Sequence, residues 1–260
     1  MAKRESTAAK IEPEKRMFLY QQPELLNYEQ HGGLGIDPKE RPFEFARNVD
    51  AIPIAAVELV SAQRHYPVVF SDIKNPTLLA IVGVLEPVNL FIDENGQWEK
   101  GTYLPGYLRC YPFALAPRPN DQFAVVIDRA APSICEGGKQ PLFDGKSLAK
   151  PIQDHVDYCA KFSSYRQATS VFCDRLAELG LLAGQQAKFT PDGGEEQSIG
   201  SYVAVDMAKF KELDAKTLKE LHLDGTLSGI YAHAYSLDNW MRLLEKRRYL
   251  QTPKASVASH

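Results

Sequence analysis

His155 and Cys159 stand four positions apart in a run with helical periodicity, which sets an imidazole and a thiol on one helical face. Two such ligands begin a metal site without completing it. A working site takes at least three protein ligands, and the third here has to come from a remote His65, His222 or His233. His155, Cys159 and His233 are the metal candidates on this ground; the plainer reading, a polar stripe at the edge of an amphipathic helix, is preferred, and no metal or cofactor is expected. His222 and Asp224 have the His-x-Asp spacing that opens a facial iron triad, yet they fall at a helix end beside Gly225, where that arrangement needs a strand. Glu58 and Asp128 are carboxylates beside apolar runs, where burial raises a pKa towards general acid-base work. Arg64, Arg109 and Arg129 are at hand, and pairing with one of them is the expectation. No G-x-S-x-G elbow offers a nucleophilic serine, and Ser236 is read as the cap of the final helix.

The densest run of interacting side chains is 87–115, PVNLFIDENGQWEKGTYLPGYLRCYPFAL. Asn95-Gly96, between Leu90-Phe91-Ile92 and Trp98, predicts a hairpin with a type I′ turn, which needs positive φ at both central residues. Tyrosines and an arginine follow. Trp and Tyr carry a large apolar body with one polar tip, and together with Arg they dominate binding hot spots. Trp98, Tyr103, Tyr107, Arg109 and Tyr111 are therefore the candidate binding residues, the alternative being that their rings wall a core beneath the hairpin.

Charge excludes some partners. Thirty Lys and Arg against 33 Asp and Glu give a net charge of −3 with no basic stripe, which is a poor surface for nucleic acid. Lys246-Arg247-Arg248 is read as a solvated helix end whose cations complement the helix dipole. No run of about eighteen apolar residues exists to span a membrane as a helix. No apolar stretch follows the basic N-terminal residues, so a secretory leader is not expected and a cytoplasmic location is. Cys110, Cys135, Cys159 and Cys173 form no C-x-x-C pair and are read as reduced thiols.

The elements that must position these groups read as strands first and helices later. Val49–Ile54, Val68–Phe70, Thr77–Leu85 and Phe123–Asp128 have strand length and apolar content, and a helix is expected over 55–65 with Val57 and Val60 on one side. Residues 151–179 form the longest helical pattern, with Ile152, Val156, Cys159, Phe162, Val171, Phe172, Leu176 and Leu179 on its inner face and Gly180 as its stop. Two strands joined at Asp192-Gly193 follow, over 186–190 and 198–205, then a short helix capped by Asp206 and another capped by Asp214 that Gly225 ends. Residues 227–250 close the chain as helix, with Ile230, Tyr231, Ala234, Met241 and Leu244 inward. Gly32-Gly33-Leu34-Gly35 follows no strand and is read as a loop. The expected fold is α+β, a largely antiparallel sheet from the N-terminal half with a helical C-terminal half. It forms a single domain over 18–250, with two sublobes dividing near 146–151, between a disordered arm (1–17) and a disordered tail (251–260).

The ordered blocks HYPVVFS (65–71), NLFIDENGQW (89–98), YLPGYLRCYPFAL (103–115), VIDRAAPSI (126–134), PLFD (141–144), ELGLL (178–182), YVAVDMAKFKEL (202–213) and LHLDGTLSGIYAHAYSLDN (221–239) resemble the SapC-like family of bacterial proteins over roughly residues 18–248. The resemblance implies a genomic neighbourhood of TonB-dependent receptors, cupin-like or iron-dependent oxygenase-like proteins, and flavin-dependent tryptophan-halogenase-like proteins, hence a shared uptake or modification pathway. It assigns no reaction to the chain. Two functions from different classes follow. The first is an accessory protein that binds a partner enzyme, such as the halogenase-like or oxygenase-like protein, or its peptide, amino-acid or glycan substrate. The alternative is a small-metabolite enzyme with His65, His155 or His233 as base or metal ligand. A structural surface-layer component is a third class, disfavoured by the expected lack of an export signal.

Overall fold

The computed structural model describes residues 17–118, 123–190 and 195–251. The arm expected over 1–17 (Met17 apart), the Asp192-Gly193 turn and the tail beyond Gln251 lie outside them. Strands alternate with short helices as far as residue 148: β1 (Pro23–Leu25), α1 (Tyr28–His31), β2 (Leu34–Ile36), β3 (Ala51–Pro53), α2 (Leu59–Ala62), β4 (Val68–Phe70), β5 (Leu78–Ile81), α3 (Gly106–Cys110), β6 (Phe113–Pro117), β7 (Phe123–Asp128), β8 (Ile134–Glu136), β9 (Gln140–Pro141), β10 (Phe143–Asp144) and β11 (Ser147–Leu148). Then come the long α4 (Lys150–Glu178), the hairpin β12 (Leu182–Phe189) and β13 (Gln197–Val205), and four helices, α5 (Met207–Lys211), α6 (Ala215–Leu223), α7 (Thr226–Ser236) and α8 (Asn239–Gln251). Among the described residues every strand pairing is antiparallel. The fold is α+β.

The largest sheet has the order β12-β13-β4-β5-β3 and so joins strands from both halves of the chain; smaller sheets run β1-β7-β6 and β8-β2-β9. Buried side chains fall into two clusters, and α4 serves both. Its first turns place Ile152, Val156, Cys159 and Phe162 with Leu34, Phe113 and Ile127, whereas Phe172, Cys173 and Leu176 lie with Tyr66, Phe70 and Leu78. A helix of 29 residues is about 44 Å long, enough to cross from one cluster to the other. Pro151 stands in its first turn and Gly180, at φ 64°, takes the left-handed conformation that ends it.

Several local expectations need correction. Val57 and Val60 are each 56% exposed, and Val171 is 68% exposed; the buried face of the 56–62 segment is instead Glu58, Leu59 and Ala62. Tyr231 and Met241 point outward, while Ala232, His233, Ser236 and Leu243 point in. Ser236 does not cap the last helix. Its hydroxyl lies buried at the end of α7, accepts the Val68 N–H (2.9 Å) and donates to the His233 carbonyl (2.6 Å). Nor is Lys246-Arg247-Arg248 a solvated end, because Arg247 is buried against Glu86 (2.5 Å) and Lys246 pairs with Glu99 (2.6 Å). Leu34-Gly35 belongs to β2 rather than a loop. A Cβ on Gly35 would lie 2.5 Å from the Gly138 carbonyl oxygen, so the glycines let two backbones meet. The Asn95-Gly96 turn exists, closed by an Ile92–Trp98 bridge, but only Gly96 has positive φ (70°). Asp93 stabilises a different turn: its carbonyl accepts the Gly96 N–H and its carboxylate the N–H groups of Asn95 and Gln97 (each 2.9 Å).

His233 sits in the core beneath the Phe70 ring, with Nε2 accepting the Val205 N–H (3.1 Å). Burial holds its pKa down at about 4. The unfolded chain therefore takes up this proton near pH 6.5 and the folded chain only near 4, so the stability is present above 6.5 and lost as pH falls between the two values. We expect the wild type to lose about 2 kcal/mol more than His233→Gln between pH 7 and pH 5 in urea titrations. Parallel pH profiles would show that His233 is not the titrating group.

Candidate functional site

The one-turn helix α3 carries three of the sequence-predicted binding residues or abuts them, and it is clamped at both ends by buried carboxylates. At its start, Glu58 Oε1 accepts the Gly106 N–H (2.7 Å) and the Tyr103 hydroxyl (2.9 Å), while Oε2 accepts the Ala55 N–H (2.7 Å). Just past its end, Asp128 accepts the Tyr111 hydroxyl (3.1 Å) and the N–H groups of Gln21 (3.0 Å), Gln22 (2.8 Å) and Ala130 (3.2 Å). Among the described residues the expected arginine pairing of these carboxylates does not occur. Backbone N–H groups and tyrosine hydroxyls do the same work, since a carboxylate accepting several charge-assisted hydrogen bonds needs no cation. Burial, and then the neighbouring carboxylate, raises the pKa of both Tyr103 and Tyr111, so both stay neutral donors.

Two open clefts flank α3. On one side, Tyr107 and Cys110 face a cavity of about 570 Å³ closed by the 17–20 segment, β6 and α4. On the other, Leu108 and Arg109 face a cleft of about 380 Å³ bounded by the 36–45 segment and the start of α4. Tyr111 is the partition. Its ring stacks on Phe45 at 3.8 Å, on the side of the smaller cleft, and meets Tyr20 edge-on at 5.5 Å, on the side of the larger.

The candidate residues thus gather in part. The Arg109 guanidinium lies 5.1 Å over the Tyr103 ring and its Nε donates to the Leu104 carbonyl (2.9 Å). Tyr107 donates its hydroxyl to the Phe18 carbonyl (2.6 Å), and burial pushes its pKa up to about 12 against the partial offset of nearby Arg166. Trp98 stands apart, among Phe43, Tyr66 and Phe91, and lines a third cavity of about 780 Å³ beside α8. The Tyr66 hydroxyl, donating to the Tyr103 carbonyl, links the two groups. Trp98, Tyr103, Tyr107 and Tyr111 are half-buried, and Arg109 is exposed.

The metal candidates separate. His155 Nε2 donates to the Arg109 carbonyl (2.8 Å) in the smaller cleft, whereas Cys159 is buried with its thiol towards the carbonyls of Cys110 (3.8 Å) and Phe113 (3.7 Å). His233 lies in the other core cluster, and His65 lines a further cavity beside α8. Among the described residues no three His, Cys, Asp or Glu side chains gather where they could hold a metal ion. No helix among them is long and apolar enough to cross a membrane.

Sequence reasoning missed Phe18, Tyr20 and Arg166 as walls of the cavity beside Tyr107. The signal for Arg166 was present: Cys159, Phe162, Ser163 and Arg166 fall at i, i+3, i+4 and i+7, so the guanidinium continues the stripe that α4 turns to the cavity.

These features define an all-antiparallel α+β protein with two clefts opened on either side of a clamped helical turn. The family model described as SapC matches residues 26–243, and the chain belongs to that family. No curated protein and no solved structure matches the chain.

Proposed function

We propose that this protein is a non-enzymatic cytoplasmic accessory factor acting with a flavin-dependent halogenase-like or iron-dependent oxygenase-like enzyme in a TonB-receptor-linked uptake or modification pathway. The surface around α3 holds that enzyme or its peptide, amino-acid or glycan substrate. The observation that supports this reading best is Arg109, exposed over Tyr103 at the rim of a cleft floored by Phe45 and Tyr111. Arginine and tyrosine on a preformed concave surface are the residue types that concentrate binding energy. The partner's class rests on the family resemblance. The enzyme alternative asks for titratable groups converging in one cavity, and His65, His155 and His233 occupy three separate places.

Native mass spectrometry of the protein isolated gently from its own host tests the proposal. A stoichiometric flavin or iron enzyme is expected in the complex, and Arg109→Glu is expected to weaken it at least about tenfold, as loss of a hot-spot arginine does. A partner-free mass carrying a bound metabolite or metal would overturn the accessory reading and favour the enzyme.

A further inference from the structure

We infer that the cavity between Tyr107 and α4 binds a small amphipathic carboxylic acid, its aryl or alkyl body against Phe18, Leu115 and Phe162 and its carboxylate on Arg166. The site is separate from the Arg109 cleft and stands whether or not an enzyme docks there. A volume of about 570 Å³ is in the range of pockets that enclose small organic molecules. Among the described residues its walls offer a ligand few free polar groups. The Tyr107 and Tyr20 hydroxyls are already donated to the carbonyls of Phe18 and Phe113 (2.6 Å each). Cys110 is kept a neutral thiol, its pKa raised by hydrogen bonding with Cys159 and then by burial. Among the described residues no carboxylate lines the cavity to attract a cationic ligand.

Beside the Ser163 hydroxyl, Arg166 is the charged group among the described lining residues. It lines the cavity with its guanidinium 5.9 Å over the Tyr107 ring, and it makes no ion pair among the described residues. A guanidinium presents a planar fork of donors that matches a carboxylate. A single cation beside an apolar wall suits a monoanion; a phosphate dianion calls for further cations, and among the described residues no second one lines the cavity.

Calorimetric titration of the full chain with phenylbutyrate, phenylbutyramide and phenylbutylamine tests the assignment, because the three share a body and differ in the head group. The acid is expected to bind at least about tenfold more tightly than the amide, and the amine more weakly than either. Arg166→Gln, a change of an exposed side chain, is expected to bring the acid down to the amide's affinity, with Arg166→Lys retaining part of the preference. Ala114→Trp, which fills the cavity, is expected to abolish binding of both. Equal affinity for acid and amide, no binding by any probe, or an Arg166→Gln protein with the preference intact would overturn the inference. A failure here leaves the partner complex of Arg109 untouched, so the two proposals fail independently.

Discussion

Asp128→Ala is expected to lower the free energy of unfolding by about 5 kcal/mol, because it strands four donors that the buried carboxylate now satisfies. The loss has a location as well as a size. Gln21 and Gln22 hold the chain against the end of β7, and β1 pairs with β7 immediately after them. Amide exchange over residues 21–25 should therefore accelerate ahead of the rest of the sheet. Asparagine keeps one acceptor oxygen and should recover roughly half of the loss. Chemical denaturation measures all three proteins, and a penalty below about 2 kcal/mol for alanine would show that the carboxylate is not the tie.

Glu58→Ala should cost about 4 kcal/mol, for it removes the acceptor of the Ala55 and Gly106 N–H groups and of the Tyr103 hydroxyl. This change also frees the start of α3, so the Arg109 cleft should lose its shape before the domain unfolds. Tyr103→Phe alone should cost about 1 kcal/mol, and a double-mutant cycle with Glu58→Gln should be non-additive by a similar amount. Strict additivity would mean that the hydroxyl and the carboxylate do not act on each other.

Strands and long helices were legible because their signals are local. Val68–Phe70 and Phe123–Asp128 appear with the expected bounds, and Asp206 and Asp214 cap α5 and α6 through their side chains. Facing was harder. Val57 and Val60 look like the buried side of a helix by hydrophobicity alone, but Glu58 turns inward because the backbone of α3, far along the chain, supplies its partners. The same logic hid Arg247, whose partner Glu86 lies in another segment. The aromatic block was found by composition. Its division into a group around α3 and a separate Trp98 depends on tertiary packing that spacing does not encode. Walls contributed by the 17–20 segment gave only a short apolar run, Met17-Phe18-Leu19-Tyr20, behind a polar arm and too brief to show a period.

The central sheet also dictates an order of events during synthesis. Strand β4 gains its outer neighbour only when Val203 pairs with Phe70, and its backbone is covered only when Ser236 of α7 reaches Val68. At ribosomal speed the Val68-Val69-Phe70 edge waits on the order of ten seconds for the hairpin that closes it. During that interval a nascent chain presents an apolar, unpaired strand, the kind of template on which chains aggregate. The β12–β13 hairpin is thus the closing stitch of the sheet, and a chain that stalls or is cut before it carries that apolar edge uncovered.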